Sequence, residues 1–313
     1  MTGRGLNIYS DQSMNEPCAT SGSGAKVLLL GATGLLGSTL LPLLREQGYN
    51  VITHSRSIEA QYRVDLADSR MTGDLLDEVQ PEVIINLAGL TNVDMCEANP
   101  NRAYLANVRP VENIAAWIGK TESNSYLVQI STDQVYDGTG LHEESLVTLE
   151  NYYAFSKYAG ELAARKAPGT ILRTNFFGCS QCARRTSLTD WLYHSLSNNE
   201  SIHVFDDVLF NPVSMYTLSR MIELVIREKP TGVFNLGSHE GMSKADFAFT
   251  FADELNYSTE TMKRTSTDQV EFLDAYRPKD MRMDCSKFEH ALGVTLPRLR
   301  DEIKRVARDY CDA

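Results

Sequence analysis

The chain has 313 residues, of which 42% are hydrophobic and 23% are charged, the balance of an ordinary soluble globular protein. A formal net charge of −11 argues against a basic face, so binding to nucleic acid is not expected. No apolar run approaches the ~20 residues that cross a bilayer, and six scattered cysteines do not suit a disulfide framework, so we expect a cytoplasmic protein without a membrane partner.

Short apolar runs alternate with stretches of helical periodicity from residue 26 onward. Residues 1–25 are rich in small and polar side chains and lack the apolar segment of a secretory signal, so a disordered leader is expected there. The pattern predicts strands at 27–30, 50–53, 62–65, 83–87, 126–130 and 170–173, and helices at 35–47, 71–80, 99–118 and 153–166. Pro110 is expected to interrupt or kink the third helix. This alternation predicts an α/β fold, a Rossmann-type doubly wound parallel sheet.

The alternation weakens after residue 175, although residues 232–236 have the pattern of one more strand. The expected units are a dinucleotide-binding domain of residues 26–175 and 213–237, and a smaller discontinuous α/β substrate-binding lobe of residues 176–212 and 238–313. Cys179 and Cys182 have the spacing of a redox or zinc pair, but the sequence offers no second Cys or His pair at partner distance. Two loop thiols are the better interpretation, and no metal site is predicted.

A glycine-rich turn joins the first predicted strand to the first predicted helix. Its glycines have G-x-x-G-x-x-G spacing and let backbone amides approach a phosphate at the positive N-terminus of the helix, while Gly37 allows close packing of the helix. A tight turn without a ligand is the alternative, but its position in the first βα unit favours a dinucleotide. The predicted cofactor contacts in this turn are Gly31, Thr33, Gly34, Leu35 and Leu36.

The second predicted strand ends without the acidic residue that would bind the ribose 2′-hydroxyl of the adenosine. Arg56 can pair with a 2′-phosphate instead, so NADPH is the predicted cofactor, with NADH as the alternative. Asp65 and Leu66 follow the third strand and can border the adenine, although Asp65 also suits a helix N-cap. The small stretch after the fourth strand leaves room for the cofactor and consists of Leu87, Ala88 and Gly89.

Three side chains of complementary chemistry lie on the predicted ligand-binding edge. Thr132 follows the fifth strand, and Tyr153 and Lys157 lie at i and i+4 on one helix face. Because a neighbouring ammonium stabilises a phenolate, Lys157 is expected to lower the pKa of Tyr153. The spacing Tyr-x-x-x-Lys is common by chance, but together with the glycine turn and Thr132 it predicts a catalytic site. Tyr152 is turned away from Lys157.

Several stretches carry a resemblance to a known family: GATGLLG at 31–37, NLAGLTNVD at 86–94, STDQVYDG at 131–138, YAFSKYAGE at 153–161, LRT at 172–174 and YRP at 276–278. They resemble the extended short-chain dehydrogenase/reductases and, within them, the dTDP-4-dehydrorhamnose reductase group. The similarity runs from residue 26 to about residue 309.

The resemblance implies reduction of the C4 ketone of a nucleotide-activated 4-keto-6-deoxy sugar. Tyr153 would protonate the new alkoxide, Lys157 would bond the nicotinamide ribose, and Thr132 would polarise the carbonyl. Arg184 or Arg185 could bind the substrate diphosphate, although a solvated loop arginine is the alternative. The substrate contacts predicted with the resemblance are Thr91, Val93, Asp133, Asn175 and Arg184.

Two other functions stay open. An epimerase of the extended family would use the same Tyr and Lys, with tightly retained NAD. A non-catalytic subunit resembling the regulatory β subunit of methionine adenosyltransferase would keep a cofactor site and bind a partner enzyme. A dehydratase is disfavoured, because its Thr should precede an acidic pair whereas Thr132 precedes Asp133 and Gln134. The predicted partner is a nucleotide sugar, and a homodimer is left open.

Overall fold

The computed structural model describes residues 24–56, 59–270 and 273–311, so almost all of the predicted leader, 1–25, lies outside the described residues. The first elements in chain order are β1 (Lys26–Leu30), α1 (Leu35–Glu46), β2 (Asn50–His54), α2 (Ser69–Val79), β3 (Val83–Asn86), α3 (Val93–Ala98), α4 (Pro100–Asn107), α5 (Arg109–Thr121), β4 (Tyr126–Ile130), α6 (Tyr152–Ala164) and β5 (Gly169–Thr174). They are followed by β6 (Phe176–Phe177), α7 (Leu188–Ser197), β7 (Ile202–Phe205), β8 (Leu209–Phe210), β9 (Val213–Ser214), α8 (Met215–Glu228), β10 (Gly232–Leu236), β11 (Met242–Ser243), α9 (Lys244–Glu254), β12 (Met262–Thr265), α10 (Ser286–Leu292) and α11 (Leu299–Cys311).

Six parallel strands form the central sheet, in the order β10-β5-β4-β3-β1-β2. Strand β1 pairs in register with both neighbours, so that Leu30 aligns with His54 on one side and with Asn86 on the other. The apolar residues of β1 and β3 are buried on both faces, as continuous apolar runs require of central parallel strands. The carboxyl ends of the strands therefore share one edge of the sheet, and most of the candidate site residues follow them.

Helices cover both faces of the sheet. On one face α1, α8 and α10 pack in a core that includes Leu40, Ile222 and Phe288. On the other face α2 and α5 bury Leu75 and Ile114 beside the end of α6. The predicted α/β class, a Rossmann-type doubly wound parallel sheet, is confirmed.

Two predicted elements differ from the structure. The predicted strand at 62–65 is only an isolated bridge between Tyr62 and His54. The Gln61 side chain, rather than a strand, accepts the Thr53 amide at 2.8 Å on the outer edge of β2. The predicted helix at 99–118 is two helices that meet at Val108, and Pro110 lies in the first turn of the second, where its missing N–H costs nothing.

The remaining elements form a smaller unit beside the sheet, with a core of its own. Its short strands pair as β7 with β12, β8 with β11 and β6 with β9. Phe210, Phe247 and Phe251 lie in this second core. The α10 segment, which the sequence assigned to this lobe, packs with the core of the sheet instead, and the predicted lobe boundaries stay a prediction. Within the described residues, no helix combines the length and the apolar character needed to cross a bilayer.

Candidate active site

The glycine-rich turn is built for close backbone approach. Gly31 has φ +83°, and its amide and that of Ala32 donate to the His54 carbonyl at 2.9 and 3.0 Å. A Cβ on Gly31 would lie 3.0 Å from the Ala88 amide nitrogen, and one on Gly37 would lie 2.5 Å from the Gly31 carbonyl oxygen. Gly34 is the N-cap of α1 and supplies no side-chain cap, so the first amides of this helix stay available to an anion.

The other predicted contacts of the turn divide into exposed and buried side chains. Thr33 and Leu35 are partly exposed beside the turn, whereas the Leu36 side chain is buried in the core of the sheet. Leu36 can therefore meet a cofactor only through its backbone amide. The turn fits a pyrophosphate, because the positions that a Cβ would fill are glycines and the helix end has no competing cap.

The residues predicted to border the adenosine lie at the far end of the same edge. Arg56 is exposed directly after β2, and residues 57–58 lie outside the described residues. Asp65 is exposed and accepts the Ala67 amide at 3.0 Å, which makes it a turn residue, while Asp68 is the N-cap of α2. Leu66 is buried, and its carbonyl accepts from the Asn113 amide at 2.9 Å.

Tyr153 and Lys157 lie on the buried face of α6, as the i, i+4 spacing predicts. Tyr153 is 6% exposed and Lys157 is 9% exposed, whereas Tyr152 is 45% exposed on the opposite side. Thr132 follows β4, and its side chain lies near enough to the Tyr153 hydroxyl to favour the phenolate and so to lower the pKa of Tyr153. The Lys157 ammonium donates to the Ile130 carbonyl at 2.7 Å. The fold thus brings the predicted trio to the ends of β4 and α6.

Burial dominates the acid–base chemistry of this pair and corrects one expectation. The pKa of Tyr153 is raised by desolvation, which outweighs its hydrogen bond with Thr132. The expected lowering by the Lys157 ammonium is wrong, because a buried phenolate is too costly to form. Desolvation also lowers the pKa of Lys157 to about 8, against an opposing attraction from Glu161. Tyr153 is therefore a neutral phenol that carries a proton, although its raised pKa makes it a weaker acid than an exposed tyrosine.

Asp133 extends this hydrogen-bonded group toward the second lobe. Its carboxylate accepts from Thr132 Oγ1 at 3.2 Å and from Asn175 Nδ2 at 2.7 Å. Burial raises its pKa to about 6, and the Lys244 ammonium is one of the groups that oppose this rise. Two predicted substrate contacts, Asp133 and Asn175, are thus joined by hydrogen bonds to Thr132, the predicted catalytic threonine.

The segment after β3 forms the wall opposite α6. Leu87, Ala88 and Gly89 are all partly exposed there. A Cβ on Gly89 would meet the Asn107 side chain at 2.9 Å and would lie 4.0 Å from Lys157 Nζ. Asn107 holds this wall in place, because its amide nitrogen donates to the Leu90 carbonyl at 3.0 Å. Gly89 therefore lets the backbone pass close to Asn107 and Lys157, and the predicted contact of Leu87, Ala88 and Gly89 with a cofactor stays a prediction.

The next residues bound the substrate side of the site. Val93 packs in one apolar cluster with Tyr153 and Cys96, whereas Thr91 is exposed in the loop before α3. Asp94 follows Val93 and pairs with Arg277 at 2.6 Å, which ties this wall to the C-terminal half of the chain.

Arg184 does not join the catalytic group. Its guanidinium is 66% exposed and pairs with Glu59 at 3.2 Å, beyond the end of β2. The neighbouring Cys182 thiol donates to the Thr33 carbonyl at 3.1 Å, so this loop crosses the glycine-rich turn. Arg184 thus lies on the cofactor side of the site, and its predicted contact with the substrate stays a prediction. Cys179 and Cys182 are free thiols, and no metal-binding group of three or more His, Cys, Asp or Glu occurs in the described part of the chain.

Sequence reasoning missed two charged residues of the site. Lys244 opens α9 in the second lobe, and among the described residues its ammonium has no hydrogen-bond or ion-pair partner. Nothing in the sequence separates this lysine from other helix-start lysines. Glu161 was noticed only as part of a family motif, yet it is fully buried one turn beyond Lys157. A glutamate on the apolar face of a helix was the available signal.

Comparison with known proteins places these residues in a wider group. A family model described as the RmlD substrate binding domain matches residues 25–311. The probable low-salt glycan biosynthesis reductase Agl14 of Haloferax volcanii is 27% identical over 294 residues, which cover 90% of this chain and 97% of that protein. Methionine adenosyltransferase 2 subunit beta of Rattus norvegicus is 28% identical over 290 residues, covering 86% of this chain and 83% of that protein. The structure of a dTDP-4-dehydrorhamnose reductase from Clostridium acetobutylicum has a TM-score of 0.82 and 25% identity, covering 92% of this chain and 100% of that chain.

Proposed function

The chain belongs to the family of the RmlD substrate binding domain, and we propose that it is an NADPH-dependent oxidoreductase that reduces the C4 ketone of a nucleotide-activated 4-keto-6-deoxy sugar. The observation that carries the proposal is the placement of Thr132 at the end of β4, where it acts on the buried Tyr153 hydroxyl, with Lys157 one turn along the same helix as Tyr153. Relatives named as a glycan biosynthesis reductase and a dTDP-4-dehydrorhamnose reductase support this chemistry. Five of the six cysteines lie in the described residues and are free, which suits a cytoplasmic enzyme.

The cofactor would lie along the sheet edge from β2 to β4. Gly31 and Gly34 would let the pyrophosphate come close to the turn, the first amides of α1 at Leu35 and Leu36 would hold it, and Arg56 would bind the 2′-phosphate. Leu87 and Gly89 would border the nicotinamide half, and Lys157 would donate to its ribose. When bound, the nicotinamide supplies the hydride for the carbonyl carbon.

The chain itself supplies the proton and the charge stabilisation. Thr132 donates toward the substrate oxygen as negative charge develops there. Tyr153 then gives its phenolic proton to that oxygen, because an alkoxide is a stronger base than a phenolate even when burial raises the pKa of the phenol. The cost of leaving a buried phenolate is reduced by the Lys157 ammonium.

The substrate would lie between this group and the second lobe. Val93 offers an apolar wall beside Tyr153, and Asp133 with Asn175 offers hydrogen bonds to sugar hydroxyls. Among the described residues the Lys244 ammonium has no hydrogen-bond or ion-pair partner, and it attracts the Asp133 carboxylate, so we assign it to an anionic or hydroxyl group of the nucleotide sugar.

The proposal is tested with purified protein, NADPH and a panel of 4-keto-6-deoxy sugar nucleotides carrying different bases. Oxidation of NADPH should follow addition of one member of the panel. Tyr153→Phe should lower kcat by about 10²-fold or more while leaving NADPH affinity nearly unchanged. Tyr152→Phe is the matched control, since this exposed tyrosine on the same helix should be silent.

Other outcomes point to the other candidate functions. Interconversion of two sugar nucleotides without net NADPH consumption would indicate an epimerase. Tight NADPH binding without turnover of any sugar would favour a regulatory subunit like the related methionine adenosyltransferase β chain. Full activity of Tyr153→Phe would remove Tyr153 from the role of proton donor.

A further inference from the structure

Glu161 forms the most enclosed charged group beside the site. Its side chain and that of Arg173 are both 0% exposed, and the two pair at 2.7 Å between Oε2 and Nη2. The other carboxylate oxygen accepts from Arg173 Nε at 3.0 Å and from Ser131 Oγ at 2.5 Å. Both oxygens of Glu161 thus accept from charged or hydroxyl donors, which is the hydrogen-bond pattern of an ion pair.

The position of this ion pair beside the predicted site, rather than a contribution to stability, indicates its role. A buried ion pair is often no more stabilising than apolar residues of the same volume, so stability alone does not explain its presence. Glu161 lies one helical turn beyond Lys157 on the buried face of α6. It also accepts a hydrogen bond from Ser131, which follows β4 and directly precedes Thr132. Both contacts lead to the predicted catalytic group.

The surroundings of Lys157 contain little other negative charge. Its direct partner is the neutral Ile130 carbonyl. The neighbouring Cys96 thiol is kept neutral, because burial raises its pKa to about 11. Tyr153 is a neutral phenol, and the Asp133 carboxylate is bonded to Asn175 and faces Lys244.

Glu161 therefore supplies the main opposing charge in this part of the site. Desolvation lowers the pKa of Lys157, and attraction to Glu161 is the largest effect that raises it. Without that carboxylate, a lysine this deeply buried would lose its proton at a lower pH.

We propose that Glu161 is a positioning residue that keeps Lys157 protonated and holds the Ser131–Thr132 segment at the end of β4. The inference rests on the proposed function only in taking Lys157 as the cation that contacts the cofactor. It adds the buried Glu161–Arg173 pair to the three predicted site residues, because the Glu161 carboxylate attracts the Lys157 ammonium one turn away on the same helix.

The test compares Glu161→Gln with Arg173→Lys. Glu161→Gln removes the negative charge with little change in shape, whereas Arg173→Lys keeps both charges and breaks the two-pronged geometry. NADPH affinity is measured by fluorescence across neutral and alkaline pH, together with kcat/KM where a substrate is turned over. In the wild type, NADPH affinity should fall as the pH rises, with a midpoint near the Lys157 pKa of about 8, because the lysine loses its positive charge there. In Glu161→Gln this midpoint should move to lower pH by about one unit, so binding at the wild-type midpoint falls severalfold.

Arg173→Lys should lower the melting temperature but leave the alkaline midpoint in place. The proposal is overturned if the midpoint of NADPH binding does not move in Glu161→Gln, or if it moves equally in both variants. It is also overturned if wild-type NADPH affinity does not fall at alkaline pH. Should Glu161→Gln fail to fold, the double variant Glu161→Gln with Arg173→Leu also removes the guanidinium that would be left unpaired. Because loss of that positive charge partly offsets loss of the carboxylate, its midpoint should fall by less, but it must still lie below the wild-type midpoint.

The binding profile keeps this inference separate from the proposed function. An absence of turnover with every sugar nucleotide would contradict the reductase, while a shifted NADPH-binding midpoint in Glu161→Gln would still support the role of Glu161.

Discussion

Gly37 offers a sharp test of the idea that the first helix must pack directly on the phosphate-binding turn. An alanine Cβ there would lie 2.5 Å from the Gly31 carbonyl oxygen and 2.6 Å from that of Ala32. Both are backbone atoms of the turn and cannot rotate away as a side chain could. Restoring an ordinary contact of 3.4 Å would move helix and turn apart by about 0.9 Å.

Gly37→Ala should therefore lower the free energy of unfolding by about 1–3 kcal/mol, despite the helix propensity of alanine. Because the displaced amides are those assigned to the pyrophosphate, NADPH affinity should fall as well. Gly73→Ala in α2 is the matched control, since nothing lies within 4 Å of its Cβ, and it should gain about 0.5–1 kcal/mol. Thermal unfolding and NADPH titration of both variants decide the matter. Wild-type stability and affinity in Gly37→Ala would refute the close-packing argument.

Two further substitutions test the charges around the site. Arg56→Gln should lower NADPH affinity by about tenfold or more while sparing NADH, whereas the exposed Arg63→Gln should change neither; equal loss of both cofactors would contradict the 2′-phosphate assignment. Lys244→Met should raise the KM for the sugar nucleotide. It should also raise the pKa of Asp133 above its value of about 6, because an opposing cation is gone, so the acid limb of kcat/KM moves to higher pH. An unchanged acid limb of kcat/KM would show that the Lys244 charge does not influence the pKa of Asp133.

The sequence was sufficient for the central sheet because its strands are continuous apolar runs and its helices are amphipathic. It was less reliable at the edge of the sheet. The segment at 62–65 has strand composition, yet only Tyr62 pairs with β2 through its backbone, and the Gln61 side chain accepts the next edge amide, that of Thr53. Pro110 was expected to interrupt or kink a helix, and the helix is interrupted at Val108, with Pro110 in the first turn of α5, where a proline has no hydrogen bond to lose.

The site was predictable to the extent that its residues follow strands or share a helix face. Thr132, Tyr153 and Lys157 meet because of the edge rule for parallel sheets and the i, i+4 rule. Lys244 belongs to the second lobe, and no local sequence pattern predicts that it approaches Asp133, which lies far from it in the chain. The direction of the Tyr153 pKa shift was also beyond the sequence, because it depends on burial that only the folded chain reveals.

That shift has a consequence for the choice between reductase and epimerase. A reductase needs its tyrosine as an acid, so a neutral phenol is the competent resting state. An epimerase that begins by oxidising its substrate needs the tyrosine as a base, and a buried phenolate would have to form first. In this chain desolvation raises the pKa of Tyr153 and lowers that of Lys157, so the resting pair is a phenol beside an ammonium near its titration point. The proton that a reductase needs is therefore already on Tyr153, whereas an epimerase would first have to remove it from a phenol that burial has made a weaker acid.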